Sequence, residues 1–166
     1  MSTPTSALRD LQFRLEYVLL RAVVGLVRAF PLDVASAISG ATWRFLAPRI
    51  NRRRHSRALA NLAIAYPDMP LQERKKIATA HWDNIGRVMA ETMQIDRILS
   101  DPSRIEIANL PVFARYRDKL GPIVGVSLHT GNWELAIWPL TLAGAKPAAV
   151  YRTVKNPYVE IGRAHV

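Results

Sequence analysis

Cysteine is absent from the chain, which excludes disulfides, thiolate metal sites and thiol nucleophiles together and fits a reducing compartment. Acids are scarce: 13 Asp and Glu stand against 23 Lys and Arg, a formal charge of +10. Long apolar runs are missing too. The longest uncharged stretch of the first helical segment is residues 22–27, far short of the roughly 20 residues of a conventional membrane span. The opening Met1–Ser6 has neither a basic n-region nor an apolar h-region and is not a secretory signal. There is no internal repeat, no low-complexity tract and no G-x-S-x-G elbow around a serine. What remains is 166 residues, 49% hydrophobic and 22% charged, enough apolar material for an ordinary folded domain.

The charge is uneven. Residues 1–57 hold ten Arg, no Lys and three acids, so the N-terminal third is expected to face something anionic. Residues 7–30 read as one helix ended by Pro31, with Asp10, Arg14, Arg21 and Arg28 in one narrow sector and apolar residues over most of the rest. Such a helix suits either the interface plane of a bilayer or the inside of a bundle. A second helix, from Leu32 or Asp33 (a cap candidate) to Leu46 and closed by Ala47-Pro48, is rich in Ala, Ser and Gly, which would allow close packing on the first. The basic run Arg49–Arg57 reads either as a solvated helix face, with His55 in solvent, or as a phosphate-contacting patch. No aromatic residue is interleaved within it and no recognisable module surrounds it, which argues against nucleic acid.

Pro67-Asp68-Met69-Pro70 is a turn that opens a helix expected from Leu71 to about Leu99. Ile77, Ala80, Ile85, Val88, Met89, Thr92 and Ile95 lie roughly along one side of it. His81-Trp82-Asp83, on the same helix, reads as packing and surface rather than a site. Asp101-Pro102 stops the helix, Arg104–Ala108 alternates like a short strand, and Pro111–Leu120 reads as a short helix. The apolar run Ile123–Leu128, the helical stretch Trp133–Ala143 and Ala148–Tyr151 then predict strand, helix and strand, the start of a βαβ unit. The expected fold class is therefore α/β: an N-terminal helical region followed by a truncated sheet. The expected divisions are 1–48 as membrane-associated helices, 49–159 as the N-terminal part of a catalytic domain, and 160–166 as a non-native tail.

The chemistry concentrates in Ser127-Leu128-His129-Thr130-Gly131-Asn132-Trp133-Glu134-Leu135. A His at the carboxyl end of a strand and a Glu in the first turn of the next helix sit where open α/β sheets collect ligands. A neutral imidazole, whose ordinary pKa is about 6.5, is a natural base near neutrality. A carboxylate on one ring nitrogen fixes its tautomer and leaves the other free to take a proton from an alcohol. Gly131 lets the backbone come near a substrate, and the turn's N–H groups or the Asn132 amide can donate to an oxyanion. The alternative is a structural His capping the turn with Glu134 complementing the helix dipole, and the spacing alone does not choose.

His129-Thr-Gly-Asn-Trp-Glu134, followed by Val150-Tyr151-Arg152-Thr-Val-Lys155-Asn156-Pro157-Tyr158, resembles the late acyltransferases of lipid A biosynthesis, the lauroyl and myristoyl transferase family. Asn61-Leu62, Tyr66-Pro67-Asp68, Glu73-Arg74, Asn84-Ile85-Gly86 and Glu91 are similar as well, so the likeness runs from about residue 8 to 159. The resemblance implies His129 as catalytic base, Glu134 as its partner, and Arg152 as the cation that binds substrate phosphate or steadies developing charge. It implies that Lys155 and Asn156 line the substrate site. It further implies transfer from acyl-acyl carrier protein to a hydroxyl of a phosphorylated glycolipid, with no cofactor and no metal, at the cytoplasmic face of the inner membrane. A relative with another glycolipid or phospholipid acceptor, or a non-enzymatic basic membrane-binding protein, remains open. Thr130 stands where many relatives carry an aromatic residue. Family chains are longer, and Ile161–Val166 reads as one frame of common sequencing-adapter DNA, so the tail is expected to be foreign and this fragment inactive alone.

Overall fold

The structure, a computed structural model, describes residues 7–109, 111–112, 124–128, 130–146, 148 and 154–159. Contacts group the chain into two units: residues 1–29 with 148–166, and residues 30–147. In the first, α1 spans Ala7–Arg28, with Asp10 in its first turn and Arg28 in its last, both complementing the helix dipole. Phe13 is its buried residue. Leu8, Leu11, Leu15, Val18, Leu19 and Leu26 are exposed, and no described helix is long and apolar enough to cross a membrane.

In the second unit, α2 (Leu32–Ile50), α3 (Arg52–Ala65), α4 (Leu71–Thr92) and α5 (Ile95–Leu99) follow in order. Proline sets two of the starts: Pro31 and Pro70 precede α2 and α4 in extended conformation, as a residue outside a helix does. Pro48 does not end α2 as the sequence suggests. It lies in the final turn, and the Asn51 N–H closes that turn on the Ala47 carbonyl at 2.8 Å. The expected helix 71–99 is broken at Met93-Gln94, where Gln94 leaves helical geometry with its side chain wholly buried.

The centre of this unit is the antiparallel contact of α2 with α4. Ser36 faces Glu91, Ser39 faces Gly86 and Trp43 stacks on Trp82 at 6.2 Å between ring centroids. Small residues make the approach possible: Ala35, Ser36, Gly40 and Ala47 on α2, and Ala78, Gly86 and Ala90 around Trp82 on α4, are buried. Close helix contact is thus made by small side chains, while Ile77 and Met89 stay exposed. The Ser39 hydroxyl donates to the Gly86 carbonyl at 2.7 Å. The Trp82 indole N–H donates to His55 Nδ1 at 3.2 Å, so His55, expected in solvent, joins α3 to α4.

The expected α/β class is overturned. Among the described residues there is no strand and no sheet. Residues 102–104 form a 3-10 turn capped by Asp101, and 105–107 continue without a ladder. Val124, Val126 and Leu128 stand 92%, 93% and 75% exposed. An extended run becomes a strand only when a neighbour takes its backbone donors and acceptors; residues 124–128 have no ladder partner among the described residues. The second expected strand lies outside the described residues except for Ala148, as does most of the expected helix 111–120. The stretch 133–143 is a 3-10 helix (Trp133–Ile137) running into α6 (Trp138–Leu142), with the change of pitch where Pro139 removes an N–H.

Candidate functional site

His129 lies outside the described residues, and so does Arg152. Around His129 the backbone is informative. Gly131 has φ +59°, and a Cβ there would meet nothing within 4 Å. Glycine is required by the left-handed turn, not by lack of room. The turn delivers Asn132, whose carbonyl accepts from Leu135 N–H at 3.2 Å to start the 3-10 helix. Glu134 sits in the first turn of that helix, half-buried. Both polar atoms of the Asn132 side chain are shielded from solvent without a hydrogen-bond partner among the described residues. An amide so placed is costly unless something completes it.

Leu135 closes one side of a cleft of about 210 Å³ whose other walls are Leu32, Asp33, Glu91, Ile98 and Arg104. Arg104 forms a two-pronged pair with Asp33 at 2.8 and 2.9 Å and reaches Asp101 at 3.2 Å, while the Ser36 hydroxyl donates to Glu91 at 3.0 Å. Two carboxylates in the lining, and a third held by the same guanidinium from outside it, make this cleft a poor seat for a phosphate. Sequence reasoning singled out Asp33 only as a cap candidate. A separation of 71 positions between Asp33 and Arg104 leaves no local signal of the pair.

Hydrogen bonding by Arg104 holds the Asp33 carboxyl below its ordinary range. A carboxylate with a depressed folded value contributes stability above its unfolded value, about 3.9, and loses it as pH falls through the folded one. The α2–Arg104 junction is therefore expected to loosen below about pH 4. Hydrogen exchange at residues 32–36 and 101–104 checks this: an acid step present in the native protein should vanish in Asp33→Asn. A step of equal size in that variant assigns it to other carboxylates.

The second motif is described in the other unit, with α1. Lys155 is exposed and Asn156 buried. The Asn156 amide donates to the Phe13 carbonyl at 2.8 Å and to Glu16 Oε2 at 3.1 Å, and its oxygen accepts from Tyr158 N–H at 3.0 Å. The Tyr158 hydroxyl donates to Asp10 at 2.8 Å, the main cause of the lowered pKa of that carboxyl, with Arg14 adding to it. Arg14 also lies over the Tyr158 ring at 5.5 Å. Asn156 and Tyr158 thus fasten their segment to the Asp10–Arg14 turn of α1. Gly131, Asn132 and Glu134 belong to the other unit.

Residues 6–162 match the family model described as bacterial lipid A biosynthesis acyltransferase. No curated protein and no solved structure matches the chain.

Proposed function

Since this chain belongs to the bacterial lipid A biosynthesis acyltransferase family, we propose that it moves a fatty acyl chain from acyl-acyl carrier protein to a hydroxyl of a lipid A precursor. The observation that carries this is the His129–Glu134 segment inside the family match, turned by a left-handed Gly131 beside an uncompleted Asn132 amide. In the proposed reaction His129 takes the proton of the acceptor hydroxyl as that oxygen bonds to the thioester carbonyl carbon. Glu134 holds the second ring nitrogen and stabilises the imidazolium. The Asn132 amide and the turn's backbone N–H groups donate to the oxyanion. Collapse breaks the carbon–sulfur bond, and the departing thiolate recovers the proton from the imidazolium. Arg152 and Lys155 contribute to holding the phosphorylated acceptor, while the buried Asn156 fixes their segment on α1.

The exposed apolar surface of α1, with Arg14, Arg21 and Arg28 in one sector, supports residence at the cytoplasmic face of the inner membrane. The product of the complete gene, supplied with acyl-acyl carrier protein and a phosphorylated diglucosamine precursor, should add one acyl chain by mass spectrometry. Acylation only of a glycerophosphate or another glycolipid would replace the acceptor named here. Release of free fatty acid with no acylated acceptor would replace the reaction.

A further inference from the structure

Helix α1 carries two acids, Asp10 and Glu16, among four arginines. Both reach the same distant segment. One oxygen of each is held by the helix itself: Arg14 donates to Asp10 Oδ2 at 2.8 Å, and the Gln12 amide to Glu16 Oε1 at 2.7 Å. These pairs, four positions apart on one helix face, orient the carboxylates from within α1. The second oxygen of each turns to the later motif. Asp10 Oδ1 accepts from the Tyr158 hydroxyl at 2.8 Å, and Glu16 Oε2 from the Asn156 amide at 3.1 Å.

Asn156 is matched to this arrangement by its chemistry. Residues 157–159 are helical, and Pro157 takes the first position, where a missing N–H leaves no bond unmade. The Asn156 oxygen accepts from Tyr158 N–H at 3.0 Å, as an N-cap does. Asp or Ser would cap this turn too. Neither has the two N–H donors of an amide, one of which lies on the Phe13 carbonyl at 2.8 Å and the other on Glu16. An aspartate would also set a second carboxylate against Glu16. Asparagine is therefore selected by α1, not by the turn. Its side chain is buried, while the neighbouring Lys155 is exposed. The segment is gripped at 156 and 158 and leaves 155 open.

We propose that Asp10 and Glu16 are positioning residues for the acceptor: through Tyr158 and Asn156 they hold residues 154–159 so that Lys155 meets a phosphate of the glycolipid. This rests on the acyl-transfer reading given above and deepens it, making the first turns of α1 part of acceptor recognition. A backbone fixed beside Lys155 leaves the ammonium only its own side-chain rotations to lose on binding, and such preorganisation appears as affinity.

The test measures binding of a phosphorylated diglucosamine acceptor, and of its dephosphorylated form, to the complete gene product by calorimetry, with acyl transfer followed alongside. Asn156→Asp keeps the cap, loses both donors and opposes Glu16. It should weaken binding of the phosphorylated acceptor about tenfold, raise the acceptor KM to match, and leave the KM for acyl-acyl carrier protein native. Adding Glu16→Gln returns a donor across the same contact and should recover about threefold of that loss. Tyr158→Phe removes only the bond to Asp10 and should weaken binding about fivefold; it decides the matter if Asn156→Asp does not fold. The dephosphorylated acceptor should bind wild type and variants alike. Native binding in the folded variants overturns the proposal and leaves acyl transfer standing. A loss shared equally by both acceptors overturns it as well, because the contacts then serve the fold alone. Absence of acyl transfer with the phosphate-dependent loss intact removes the enzymatic reading and keeps the positioning role. A wild-type protein that binds neither acceptor overturns both.

Discussion

His129→Ala in the complete gene product is expected to lower acyl transfer by about 10²–10⁴-fold, the usual worth of a positioned general base. In the proposed reaction the acceptor hydroxyl is a poor nucleophile until its proton has somewhere to go, and the His129 imidazole is the group proposed to take it. Glu134→Gln should cost less than His129→Ala, because an amide still accepts from the ring N–H but no longer balances the imidazolium charge. Glu134→Ala, which removes the proposed contact altogether, should cost more than Glu134→Gln. Steady-state rates, with circular dichroism showing unchanged helix content, check the order. A near-native rate for His129→Ala means that another group takes the proton, and the mechanism fails.

Gly86→Val is expected to give the largest loss of stability. A Cβ at Gly86 would lie 2.5 Å from the Ser39 carbonyl oxygen and 2.9 Å from both Ser39 C and Trp43 Cβ. The obstacle is the backbone of α2, so the helices must separate. Separation also breaks the Ser39–Gly86 hydrogen bond and disturbs the Trp43–Trp82 stack. Overpacking typically costs 1–3 kcal/mol and the hydrogen bond about 1, so a loss of roughly 3–4 kcal/mol follows, or a fall in Tm of about 6–16 °C for a domain of this size. Gly40→Ala is the internal comparison. Its new Cβ meets Arg87 Cγ at 3.0 Å, Arg87 Nε at 3.2 Å and Asp83 Cγ at 3.2 Å, side-chain atoms of a partly exposed ion pair that can move. The Gly40 change should therefore shift the melt far less. Equal shifts for the two would mean that the α2–α4 approach is not limited by backbone at Gly86.

How far each feature was legible follows from how local its cause is. Pro31, Pro70 and Asp101-Pro102 end or start helices through their own covalent geometry, and those boundaries stand where the sequence places them. Pro48 misleads because a helix can carry proline into its last turn when a later N–H closes it. Residues 123–128 mislead more deeply. Their composition is that of a buried strand, but composition cannot supply a neighbour, and exposed Val124 and Val126 have no ladder among the described residues. The site divides the same way. Gly131 was singled out from its type and place, and its positive φ is the reason for that type. The shielding of the Asn132 amide, by contrast, depends on surrounding side chains, and no spacing rule contains it.

By itself the sequence determined the proline-set helix starts at Leu32 and Leu71, the basic N-terminal third and the acyltransferase family, because each is written in neighbouring residues or in a short motif. Only the tertiary structure decided that Ala, Ser and Gly on α2 would meet α4 at Gly86. It alone joined Asp33 to Arg104, and Asn156 to the Phe13 carbonyl across 143 residues. The reason is that such partners are selected by which surfaces can close on one another, a property of three-dimensional fit that local periodicity does not encode.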